Sequence, residues 1–119
     1  MRKIEIEERA KRFSISIIRL VEQLPRTTAG FVLGKQLLRS ATSIGANLVE
    51  GRGGVSKKDF VNFLGIARKS AIETNYWLEL LEDLGIFENK LLCNIKSELE
   101  EITKIISAII LKTKQNFKS

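Results

Sequence analysis

The sequence predicts an all-α protein, an antiparallel up-down-up-down four-helix bundle. Three observations carry that prediction. Apolar residues recur at three- and four-residue steps along four segments. Pro25 is the only proline among 119 residues, which suits long helices better than a turn-rich β fold. The segments are joined by short stretches around Pro25, the "GRGG" of 51–54 and Gly85, and short connections make successive helices antiparallel neighbours.

The first helix is predicted over about 3–23. Ile6, Ala10, Phe13, Ile17, Leu20, Val21 and Leu24 form its apolar stripe, and Pro25 ends it. The second covers about 28–51, with Thr27 or Thr28 as N-cap and Leu33, Leu37, Ala41, Ile44 and Leu48 on one face. "GRGG" stops it. The third covers about 57–84. Ser56 caps it, and Asp59 places negative charge in its first turn. Its stripe is Phe60, Leu64, Ala67, Ala71, Thr74, Leu78 and Leu81, and Gly85 closes it. The fourth covers about 90–115, with Asn89 as cap and Leu92, Ile95, Leu99, Ile102, Ile106 and Ile109 inward. The whole of 1–119 reads as a single domain, with no linker, repeat or low-complexity tract.

This pattern holds more apolar surface than one bundle needs. Ile15 and Ile18, then Phe63, Ile66 and Trp77, then Leu91, Ile105 and Ile110 lie off the main stripes. Such surplus points to self-association, with a wide core as the other reading.

The second helix also carries polar residues in register. Gln36, Ser40, Ser43, Asn47 and Glu50 are spaced by four, three, four and three, so they share one edge. Asn47 and Glu50 then need polar partners wherever they are buried. Arg68 is the expected partner of Glu50, and Glu73 joins the candidate network. Simple solvent exposure is the alternative. Gly45 interrupts the same helix and marks a kink or a close backbone approach.

The net charge is +6 and the pI is near 9.7. Residues 25–55 hold Arg26, Lys35, Arg39 and Arg52 against Glu50 alone, and Lys57 and Lys58 follow. Lys35, Arg39, Arg52, Lys57 and Lys58 are therefore the candidate nucleic-acid-binding residues, holding phosphates without reading bases. A solvated basic face is the bland reading of the same residues. No helix-turn-helix or stacking motif stands out.

Enzymatic chemistry is not expected. There is no His, and the lone Cys93 allows no disulfide within the chain and no cysteine metal cluster. Cys93 reads as a small core residue. Glu79, Glu82 and Asp83, like Glu98, Glu100 and Glu101, read as solvated faces. "GRGG" before "SKK" lacks the spacing of a phosphate loop and follows a helix rather than a strand. No cofactor or metal is implied. No run reaches the ~18 apolar residues of a membrane span, no signal core opens the chain, and the expected location is the reducing cytoplasm.

Two blocks resemble a known family. "RSATSIGANLVEG" at 39–51 matches its pattern of Arg39, Ser43-Ile44, Asn47 and Glu50-Gly51. "SKKDFVNFLGIARKSAIE" at 56–73 matches with Ser56, Phe60, Phe63, Leu64, Ala67, Ser70 and Glu73 in register, and "LEDLGIF" at 81–87 resembles the exit of its third helix. The chain is thus similar, over about residues 10–110, to the "four helix bundle protein" family found in intervening sequences of 23S rRNA genes. Gly45 stands where that family often has Pro, and Lys69 where it often has Gly. The resemblance implies a bundle that assembles into a ring, commonly a homopentamer. It extends in fold to the accessory variability protein of diversity-generating retroelements, a basic pentameric barrel that serves a reverse transcriptase and its nucleic acid. The expected function is a non-enzymatic, homo-oligomeric accessory protein for RNA or DNA. The alternative is an oligomeric scaffold for another protein.

Overall fold

The computed structural model describes residues 3–117, which fold into four helices: α1 (Lys3–Val21), α2 (Thr28–Arg52), α3 (Lys57–Leu84) and α4 (Asn89–Phe117). No strand occurs among the described residues. The rod measures 52 × 23 × 19 Å, and α1 touches α2, α2 touches α3, α3 touches α4, and α4 closes back on α1.

Local chemistry sets the ends. Gln23 N–H bonds to the Leu20 carbonyl at 3.0 Å, and Leu24 N–H to Val21 at 3.1 Å. These three-residue bonds tighten the chain past Val21, because the residue before Pro25 is disfavoured in the α region. Helix α1 therefore stops short of residue 23. Thr27, not Thr28, caps α2, with its Oγ1 accepting from Gly30 N at 3.0 Å. Ser56 Oγ accepts from Asp59 N at 3.1 Å, and Asp59 Oδ2 accepts from Val55 N at 3.4 Å. Gly85 closes α3 at φ 67°, a left-handed conformation that glycine adopts without a Cβ penalty. Asn89 is not the cap expected for α4. Leu92 N–H bonds to the Glu88 carbonyl, so Glu88 precedes the helix and Asn89 is its first residue.

The core follows the period of the sequence. Ile6, Phe13, Ile17 and Leu20 of α1 meet Leu37, Ile44 and Leu48 of α2, Leu64, Leu78 and Leu81 of α3, and Leu92, Leu99, Ile102 and Ile106 of α4 in one cluster. Each such burial contributes roughly 1.5–3 kcal/mol. Val21, Leu24, Leu33 and Ile109 are only half-buried at its edge.

Gly45 belongs to an unbroken α2. A Cβ built on it would meet Ala10 Cβ at 3.5 Å, so this is where α1 and α2 approach closely. Cys93 is exposed rather than in the core. Its neighbour Leu92 takes the inward position, and one residue's rotation of about 100° carries Cys93 out.

The surplus apolar residues divide. Trp77, Ile105 and Ile110 pack on the core and widen it. Ile15, Ile18 and Ile66 are 40%, 41% and 46% exposed, and so remain spare surface.

Candidate nucleic-acid interface

The five candidate cations are spread along α2 and its exit, with Lys35 near one end and Arg52, Lys57 and Lys58 near the other. Lys35 lies beside the α1–α2 turn, lining a cavity of about 420 Å³ with Arg26, Glu22 and the exposed Phe31. Arg52 is seventeen residues further along α2, roughly 25 Å away. Two of the five are also neutralised. Arg39 is bound to Glu73, and Arg52 Nε donates to Glu7 Oε2 at 2.7 Å. The hydrogen bond that Arg52 donates to Glu7, reinforced by the carboxylate's charge, raises the Arg52 pKa. Lys57 and Lys58 are exposed at the start of α3.

A more one-sided basic site lies between α3 and α4. A groove of about 570 Å³ is lined by Arg68, Lys69 and Lys114, with Ile66, Ile110 and Leu111 between them, and no acidic residue lines it. Arg68 Nε donates to Ser107 Oγ at 2.9 Å, which fixes the guanidinium at one end. Gly65 lies in the same groove, and a Cβ built there would meet nothing within 4 Å. The second groove between these helices is different. It mixes Glu82 and Glu100 with Lys96 and Lys104, and these pair as Lys96–Glu82 and Lys104–Glu100. Its charges are already satisfied, so it offers an anion little.

The polar edge of α2 is an interhelical seam. Ser43 Oγ accepts from Ser70 Oγ at 3.0 Å and from Asn47 Nδ2 at 2.9 Å. Thr74 Oγ1 lies 2.9 Å from Ser40 Oγ and donates to the Ser70 carbonyl at 2.7 Å. Glu73 accepts from Arg39 and, at 2.9 Å, from Trp77 Nε1, while Arg39 also reaches Gln36. Partial burial pushes the Glu73 carboxyl up, but Arg39 and Trp77 together pull it below the ordinary carboxylate range.

Asn47 and Glu73 therefore sit in the seam, whereas Glu50 and Arg68 do not form the expected pair. Glu50 is exposed, and its neighbour Gly51 packs on Phe63 and Leu64, a full turn before Arg68. Arg68 is turned to Ser107 on α4.

The comparisons place the chain. The family model described as "23S rRNA-intervening sequence protein" matches residues 2–108. The chain belongs to that family. A crystal structure at 1.70 Å of a protein of unknown function from the S23 ribosomal protein family of Bacteroides thetaiotaomicron superposes with a TM-score of 0.86 at 38% identity. The match covers 92% of this chain and 98% of that one. No curated protein matches.

Lys69 and Lys114 are absent from the site expected from sequence. Lys69 appeared only as a departure from the family pattern. Lys114 lay seven residues after Ser107 and three after Leu111, a spacing that puts all three on one side of α4. That periodicity was readable, but the facing of this edge toward Arg68 was not.

Proposed function

We propose that this protein is a non-enzymatic, cytoplasmic accessory protein that assembles on itself and holds nucleic acid, RNA in the first instance, through its basic α3–α4 groove. The observation that carries the reading is that groove's charge: Arg68, Lys69 and Lys114 without an acid. Neither lysine is ion-paired among the described residues. Unpaired cations can neutralise phosphates and release the counterions condensed on a nucleic acid. The family's name, which ties it to intervening sequences of 23S rRNA, supports RNA as the ligand.

The helices run up-down-up-down in this reading. Residue pairs support it: Ser43 meets Ser70 while Gly51 meets Phe63, so numbers rise on α2 as they fall on α3. Arg68 meets Ser107 while Glu82 meets Lys96, with the same inverse order on α3 and α4. The exposed Ile15, Ile18, Phe31 and Val32 support self-association. A ring, and a pentamer in particular, would repeat the groove on every subunit. The second reading is an oligomeric scaffold for a protein partner such as a reverse transcriptase, and it draws on the same exposed apolar residues.

Fluorescence anisotropy of a labelled RNA 20-mer tests the choice. Affinity should fall steeply between ~50 and ~200 mM salt. Lys69→Glu with Lys114→Glu should flatten the log–log salt slope by about two. Lys35→Glu should change it little, and Arg39→Glu should weaken folding first, because it places a second acid against Glu73. Absence of binding at ~50 mM salt would leave the scaffold reading.

A further inference from the structure

We infer that the α3–α4 groove takes single-stranded nucleic acid, with a base against Ile66, Ile110 and Leu111 and flanking phosphates on Arg68, Lys69 and Lys114. The inference rests on the nucleic-acid reading and narrows its ligand. A groove that met only phosphates would need cations and hydrogen-bond donors alone. Here the three aliphatic side chains lie between the cations, with Ile66 46% and Leu111 61% exposed. A duplex turns its charged backbone outward and keeps its bases stacked inside, so it would lay phosphates over that floor and leave the aliphatics without an apolar partner. A single strand can turn a base face into the groove while its phosphates stay at the ends.

The geometry has three further features. Gly65 leaves the α3 backbone bare beside Ile66, and a Cβ there would touch nothing within 4 Å. That space is open to a flat ring. Arg68 is held through Nε by Ser107, which leaves its terminal nitrogens for an anion. Ser107 and Lys114 are seven residues apart on α4, so the polar ends are separated by roughly 10 Å. An acidic amphipathic helix, the competing occupant, needs about 16 Å for three turns and would overrun both ends.

The test compares three labelled 12-mers on the intact protein at one salt concentration: a single strand, its duplex, and the same strand with the central bases replaced by abasic sites. The single strand should bind several-fold more tightly than either of the others, because only it can bury an apolar base face against Ile66, Ile110 and Leu111. Gly65→Leu should remove that advantage with helix content and oligomeric mass unchanged. Lys69→Glu should weaken all three ligands together. Equal affinity for the single strand and its abasic form would overturn the inference yet spare the nucleic-acid reading. Binding of none of the three would overturn both. A change of oligomeric mass in Gly65→Leu would assign the groove to a second copy of the chain, and tighter binding of an acidic amphipathic peptide than of the single strand would assign it to a protein helix; either result overturns the inference.

Discussion

Ser40 on α2 and Thr74 on α3 face each other across the bundle with both side chains fully buried and their oxygens 2.9 Å apart. A buried hydroxyl without a partner costs roughly 1–3 kcal/mol, so each keeps the other in the core. Ser40 Oγ also lies 3.3 Å from the Leu37 carbonyl, a weak contact, and Thr74 Oγ1 2.7 Å from the Ser70 carbonyl, so the two hydroxyl protons are shared among these three contacts. Ser70 continues the seam to Ser43, and among the described residues no buried side-chain polar atom lacks a partner.

This pairing predicts unequal single-mutant costs. Thr74→Val keeps the shape but removes the hydroxyl that both partners use, and should cost about 1–2 kcal/mol. Ser40→Ala leaves Thr74 bonded to Ser70 and should cost less. The double variant should be less destabilised than the sum by about 1 kcal/mol. Urea unfolding of the four proteins measures this, and strict additivity would show that the two hydroxyls act independently.

Glu73 gives the seam a pH dependence. Its folded carboxyl titrates below its unfolded counterpart, through Arg39 and Trp77. The pair therefore stabilises the fold above the unfolded value, about pH 4.3, and that contribution fades as pH falls through the lower folded value. Both side chains are partly exposed, at 55% and 36%, so the effect should stay below about 1 kcal/mol. Wild type should exceed Glu73→Gln in stability at neutral pH, with the gap closing in acid. A gap that is constant from neutral to strongly acid pH would rule out the ion pair as its source.

Two glycines of α2 should respond oppositely to alanine. A Cβ on Gly45 meets Ala10 at 3.5 Å, an ordinary contact, so Gly45→Ala should stabilise by up to about 1 kcal/mol through helix propensity. A Cβ on Gly30 would run into the Pro25 carbonyl oxygen, which is backbone and cannot move aside. Gly30→Ala should lower the melting temperature by several degrees. Differential scanning calorimetry distinguishes them, and destabilisation by Gly45→Ala would mean that α1 and α2 are closer than this contact implies.

Much of the core was legible because helical period alone decides it. Phe60, Leu64, Ala67, Ala71, Thr74, Leu78 and Leu81 are all buried, the full stripe expected of α3. The polar stripe was legible as an edge, and Asn47 and Glu73 do lie in it. Its pairings were not. One residue turns a helix by about 100°, which separates the outward Cys93 from the buried Leu92 and turns Arg68 to α4 while Ser70 faces α2. Register between helices depends on contacts such as Gly51 on Phe63, which no single segment encodes. The basic site shifted for the same reason. Counting charge along the chain favoured α2, but Glu73 and Glu7 come from other helices and neutralise Arg39 and Arg52, while α4 brings Lys114 to α3.

The spare apolar surface predicts assembly, and Ile15 and Ile18 locate part of it on α1. Both are about two-fifths exposed beside the buried Ile17, so each leaves apolar surface that one bundle does not cover. Replacing each should cost the isolated fold about 1 kcal/mol, well below the cost at a fully buried core position. Burying them against a second chain would contribute more, because apolar area removed from water is worth roughly 25 cal/mol per Å². Light scattering over a wide concentration range should therefore show wild type above the mass of one 13.5 kDa chain. Ile15→Asp with Ile18→Asp should move it toward that mass without loss of helix content by circular dichroism. A wild type that stays monomeric throughout would refute assembly, and an unchanged mass in the double variant would place the contact elsewhere, at Phe31 and Val32 of α2 first.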